Sequence, residues 1–299
     1  MRIAEIPEQP ELTALGKLYE NISKDIVTDL LSVDLLGYSD LKANQIRRKT
    51  DANIRRLNVI ALKTSKRFIP DAYDLARKRS VTSLRILGAD VLHDPKFEKA
   101  HNLTIEKFIK ETVDTLVSAN GSIRKTVENY LFFIKQISGS LQQLEEFGGG
   151  LLTDEDQDFI LYQISKAIDK GTSRGTMSAR IKGVIQHRLG DRQLIEINGR
   201  YYRIDKYAKL VARTEMRFSQ TDATVNTCNQ YANDLVQVSD HGTLTEICEE
   251  FEGEVYSISG KDPDYPLLIA WPPFHPNCKH FLTPTSKEAI AFESTYKGA

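Results

Sequence analysis

Apolar positions over residues 10–36 recur by threes and fours: Leu12, Leu15, Leu18, Ile22, Ile26 and Leu30. That spacing predicts a helix with one buried stripe. The same period continues over 40–69, a second helix. Pro70 should end or kink it, because proline lacks the N–H that the helical ladder needs. A third helix is predicted over 71–87, stopping near Gly88. Two more cover 104–119 and 121–146, split by the Asn120–Gly121 pair. The run FGGGLL at 147–152 then breaks the pattern. Consecutive glycines are costly to order, so 148–152 reads as a hinge. Beyond it Thr153 fits a helix N-cap with Asp156 three residues on, and a short helix is predicted at 174–188.

The period then changes to two. QLIEINGRYYRI, 193–204, is a pair of alternating runs about Asn198–Gly199, a strong hairpin signal. A long helix follows over 205–233, with Tyr207, Leu210, Val211, Thr214, Phe218, Thr221, Val225 and Cys228 on its buried side. LVQVSD (235–240) and EVYSIS (254–259) read as short strands, and the residues after 285 as a loose end. The expected fold class is therefore mainly α. A helical region, 1–147, is followed by the hinge. Then come a small α+β module, 153–285, with a hairpin, a long helix and short strands, and a tail, 286–299.

Composition narrows the function classes. The 299-residue chain is 40% hydrophobic and carries a net charge of −1, as expected for a chain with a real core and no global polarity. No window approaches the roughly 20 apolar residues of a membrane span, and the N-terminus lacks an apolar run of the signal-peptide type. Cys228, Cys248 and Cys278 are too widely spaced for a disulfide framework, so reduced or metal-bound cysteines in a cytoplasm are expected.

The neutral total hides a local imbalance. Residues 41–87 hold thirteen lysines and arginines against three aspartates, while 240–264 hold eight acidic residues against Lys261. Arg47, Arg48, Arg55, Arg56, Lys63, Lys66 and Arg67 fall at near-heptad intervals and would largely share a face. Such a face fits double-stranded DNA phosphates or an acidic protein equally well, or is simply solvated.

The densest candidate chemistry is WPPFHPNCKHFLTP, 271–284, with VSDHGTLTEIC upstream. His241, Cys248, Cys278 and His280 make a Cys2His2 set of the kind zinc accepts as a tetrahedron, with His275 as an alternative ligand or a supporting group. The competing reading is a metal-free loop pinned by Trp271, Phe274 and Phe281.

The run YYRIDKYAKLVARTEMRFSQTDATVNTCNQY, followed by VSDHG, EGEVYSISG and PPFHPNCKH, resembles the C-terminal region of tailed-phage minor capsid proteins. These are the head-morphogenesis proteins similar to the F protein of phage Mu, and the "minor capsid protein 2" group. The ARTE element is Ala212–Arg213–Thr214–Glu215, and the HPNC element is His275–Pro276–Asn277–Cys278. DKGTSRGTMSARI, 169–181, also resembles the segment preceding ARTE. Many relatives carry CxxC where this chain has Thr245 and Cys248, and end HPNCRC. The minor-capsid group has DHG and NCRH, closer to Asp240–His241–Gly242 and Asn277–Cys278–Lys279–His280. These are exchanges among zinc-compatible ligands.

The resemblance implies a virion component at the head interior or portal vertex, with a structural role. Its partners would be the portal and other head proteins, with DNA as a further candidate. Enzymatic alternatives are an ADP-ribosyltransferase-like activity through Arg213 and Glu215, or a metal-dependent nuclease. Arg213 and Glu215 lie about 200° apart on a helix, which argues against joint work on one substrate. A DNA-binding protein outside phages would explain the basic stretch but not 271–284.

Overall fold

The computed structural model describes residues 10–33, 38–92, 95–139, 162, 195–197, 200–243, 245–275 and 278–297. The glycine hinge, Thr153, the helix expected at 174–188, the Asn198–Gly199 turn and Asn277 lie outside them. Three long helices open the chain: α1 (Pro10–Leu31), α2 (Asp40–Ile86) and α3 (Pro95–Gly139). A hairpin of β1 (Ile195–Ile197) and β2 (Arg200–Tyr202) leads into α4 (Ile204–Gln230). Then come β3 (Leu235–Val238), α5 (Glu246–Glu249), β4 (Val255–Ser257), β5 (Leu282–Pro284) and α6 (Lys287–Lys297). The protein is mostly helical with a small three-stranded antiparallel sheet, as the period changes in the sequence imply.

The chain forms two compact units, each drawn from separated stretches: residues 13–61 with 114–209, and residues 1–12 with 62–113 and 210–299. In the first unit the buried stripe of α1 is Leu15, Tyr19, Ile22, Ile26 and Leu30. Tyr19 takes the place expected for Leu18, which is 42% exposed and sits 100° off the stripe. The Tyr19 hydroxyl donates to the Leu57 carbonyl at 3.4 Å, and the buried Asn120 amide donates to Tyr19 Oη at 3.3 Å and to Asn58 Oδ1 at 2.9 Å. Arg47 pairs with Glu128 at 2.9 Å and Lys49 with Asp29 at 2.7 Å.

Three sequence expectations are corrected here. Pro70 does not end its helix: α2 runs through it from Asp40 to Ile86. Buried Phe68, Ile69, Ala72 and Tyr73 on either side offset the one missing backbone bond. Asn120–Gly121 does not split α3. The Asn120 amide finds partners on α1 and α2 instead of competing for its own backbone, and Gly121 is exposed with open space around it. The stretch after 285 is not a loose tail but helix α6, whose N-cap Ser286 accepts a bond from the Ala289 N–H at 3.3 Å. Lys287 reaches back to Asp262 and Asp264 at 3.0 and 2.6 Å.

In the second unit α4 is buried on two sides. Val211, Thr221, Val225 and Cys228 of the expected stripe are covered. So are Met216 and the small residues Ala212, Ser219, Ala223, Thr224 and Thr227, which let a second face pack closely. Ala223 packs with Tyr73 and Ala76, and Ile105 lies against them. Several polar groups in this unit are matched in pairs. Asn226 donates to Tyr73 Oη (2.9 Å) and Thr104 Oγ1 (3.2 Å), and Tyr73 Oη meets His101 Nδ1 at 2.8 Å. His101 Nε2 lies 3.3 Å from Gln230 Oε1, and Ser80 donates to Thr224 Oγ1 at 3.1 Å. Burial lowers the His101 pKa, in keeping with a neutral ring that accepts at Nδ1 and donates at Nε2.

After α4, Ala232 adopts a positive φ of 53° and the Asn233 N–H returns to the Cys228 carbonyl at 2.9 Å. This left-handed residue closes the helix and aims the chain into the sheet. The strand order is β4-β3-β5, antiparallel throughout, with Val236 opposite both Tyr256 and Pro284. Strand β5 carries no extended apolar run, which is why the sequence does not announce it. Val225 and Cys228 of α4 share a core with Val236, Val238, Phe251, Tyr256, Leu268 and Leu282, with Trp271 and Phe274 against it.

Candidate metal centre

Two segments meet beside the sheet. The first leaves β3, turns at Gly242 (φ 64°) and enters the single turn of α5, which buries Cys248. The second is the proline-rich segment before β5. Thr221 of α4 donates to the Pro272 carbonyl at 2.6 Å, and the Phe274 ring stacks on Phe251 at 4.4 Å and 17°. These anchors hold His275, Cys278 and His280 against α5. The aromatic packing expected of the competing, metal-free reading is present at Trp271 and Phe274.

Ligand atoms of Cys248, His275 and Cys278 all lie within 4.8 Å of one another, so this group could hold a metal ion. The two sulfurs are 4.0 Å apart, and His280 Nδ1 lies 3.4 Å from the Cys278 sulfur. Around a tetrahedral zinc, bond lengths of about 2.3 Å to sulfur and about 2.0–2.1 Å to nitrogen put two sulfurs about 3.8 Å apart. A sulfur and a nitrogen come about 3.5 Å apart. The donor set and its spacing fit zinc. His241, expected as a ligand, is placed differently. Its Nε2 meets Ser239 Oγ at 2.9 Å, and its ring stands edge-on to His280, centroids 5.1 Å apart.

Electrostatics separate the cysteines. Burial pushes Cys228 up to about 12, so it is a core thiol. Burial, helped by the neighbouring Cys278 sulfur, pushes Cys248 up to about 11. Burial also acts upward on Cys278, but hydrogen bonds from His280 and the backbone outweigh it and bring this thiol down. A metal would favour both thiolates further.

Glu252 escapes notice in the sequence because it sits in an acidic run. Its side chain is only 9% exposed, and Oε1 lies 3.0 Å from His280 Nε2. Oε1 also accepts the His241 backbone N–H, and Oε2 accepts that of Thr243 at 2.8 Å. Burial works to raise its pKa, but these bonds prevail and hold it below the ordinary value.

The remaining predicted residues lie elsewhere. Glu215 faces Glu111 and Lys107 of α3. Burial first, then Glu111, push its pKa up to about 7. Arg213 is half-buried on the same helix, and Trp271 packs on the sheet core. On α2, Arg48, Arg55, Arg56, Lys63, Lys66 and Arg67 are exposed, whereas Arg47 is engaged by Glu128 and Asn44.

A helical protein whose small sheet is closed by a buried cysteine–histidine group is the class that fold and site define. Residues 187–288 match the family of phage minor capsid protein 2. The match covers about a third of the chain and takes in the hairpin, α4, the sheet and every candidate ligand. No curated protein and no solved structure matches the chain. Among the described residues, no helix is long and apolar enough to cross a membrane.

Proposed function

We propose that the protein is a minor head component of a tailed phage, with a structural role in head assembly or at the portal vertex. The family match over 187–288 carries this reading. The candidate metal centre is consistent with it: Cys248 and Cys278 are buried, and their neighbours are pinned by aromatic packing. Zinc at this group would be structural, stabilising a module whose strands are only three or four residues long. Partners would be the portal and other head proteins. The exposed basic residues of α2 make packaged DNA a further partner, bound through phosphates without base reading. A catalytic role for Arg213 and Glu215 gains no support from their placement. They point to different sides of α4, and Glu215 is directed at α3.

Mass spectrometry of purified particles tests the role. The protein should be present at a small fraction of the major capsid copy number; its absence from intact particles overturns the proposal. Elemental analysis should find one zinc per chain, lost in Cys278→Ser. Reversing Arg48, Arg55 and Arg56 to glutamate should weaken DNA mobility shifts at low salt and flatten their salt dependence. Unchanged shifts would assign the basic face to protein docking.

A further inference from the structure

We infer that His280 closes the metal's coordination shell through Nδ1. Glu252 is then the positioning carboxylate that holds it there, and His241 lies outside the shell. The inference rests on the zinc reading above and goes beyond it by assigning the fourth ligand and its support.

The two nitrogens of His280 have different partners. Nδ1 faces the Cys278 sulfur at 3.4 Å, close to the sulfur–nitrogen separation across a tetrahedral zinc. Nε2 faces Glu252 Oε1 at 3.0 Å. A carboxylate on the far nitrogen fixes the tautomer, leaving the near nitrogen's lone pair for a metal and increasing its basicity. The ring is 3% exposed, so water does not compete for either nitrogen. Cys248, His275 and Cys278 supply three ligands within 4.8 Å of one another. His280 stands outside that group, 3.4 Å from the Cys278 sulfur, and would close in from that side to complete a Cys2His2 set.

Glu252 does more than orient one ring. It also receives the backbone N–H groups of His241 and Thr243. The loop between β3 and α5 is thereby fastened to the same carboxylate that holds the ligand. His241 contributes its backbone to this arrangement, while its imidazole is turned to Ser239 and to the edge of His280.

The test uses the full chain loaded with cobalt(II), whose visible spectrum reports coordination number and thiolate count, and zinc competition against a chromogenic chelator. Wild type should show a tetrahedral cobalt spectrum with charge transfer from two thiolates. His280→Ala should lower zinc affinity at least a hundredfold, Glu252→Gln by about 10–100-fold with the spectrum kept, and His241→Phe by less than threefold. Should His280→Ala fail to fold, His280→Cys decides the matter. A third thiolate in the shell should raise the charge-transfer intensity per cobalt by about half, scaling with thiolate number. Unchanged intensity in His280→Cys, or loss of metal in His241→Phe with retention in His280→Ala, overturns the inference. So does wild-type affinity in Glu252→Gln. A wild-type protein that binds neither zinc nor cobalt removes the zinc reading itself.

Discussion

Single side chains divide into those whose type reveals their place and those that only their neighbours reveal. Cys248 and Cys278 are legible as a candidate pair because each lies close to a histidine in the sequence, Cys278 in a proline-rich segment that cannot be helical. Which histidines join them is not legible. His241, His275 and His280 have equivalent chemistry, and only the path of the loops decides which ring nitrogens face a sulfur. Glu252 is invisible beforehand, one of eight acidic residues between 240 and 264. Glu215 offers a residue-scale prediction. Its folded pKa, about 7, lies above the ordinary 4.5, so the native state holds this proton where the unfolded chain has released it. Stability from this group is full below about pH 4.5 and is lost as pH rises through about 7. Glu215→Gln should therefore gain on wild type between pH 5 and 8. The gain should be on the order of 1 kcal/mol once partial solvent screening is allowed for. Urea titrations across that range check it, and a difference independent of pH contradicts it.

Among the described elements, hydrophobic period located the long helices and two of the three central strands, and it failed where a tertiary contact outweighed a local rule. Proline and Asn–Gly are breakers in isolation. Within α2 and α3 they are overruled by packing along helices of 47 and 45 residues. The cost at Pro70 should still be measurable. Pro70→Ala restores a donor for the Lys66 carbonyl and should stabilise by about 1–2 kcal/mol, read from the shift in thermal or urea midpoint. Asn120→Ala should cost about 1–3 kcal/mol, since it strips buried partners from Tyr19 and Asn58. A double-mutant cycle with Tyr19→Phe should return a coupling of about 1 kcal/mol. Additivity would mean that the 3.3 Å contact contributes nothing. The second buried face of α4 was hidden for a related reason. Alanine, serine and threonine register weakly in any hydrophobic pattern, although they permit the closest approach between helices.

At the scale of the whole molecule, the sequence suggested regions laid end to end, and the structure shows compact units assembled from interleaved stretches. Metal removal should be felt first by the small sheet. Chelation is expected to lower the thermal midpoint and expose the backbone amides of 235–284 to hydrogen exchange, while the α1–α2 contacts around Tyr19 keep their protection. Uniform loss of protection would argue against a locally acting metal. The interleaving also bears on how the chain is made. Residues 62–113 leave the ribosome well before residues 210–230, against which Tyr73, Ala76 and Ile105 pack. At typical translation speeds that interval is on the order of ten seconds. Throughout it the nascent helices carry an uncovered greasy seam, a natural foothold for a chaperone.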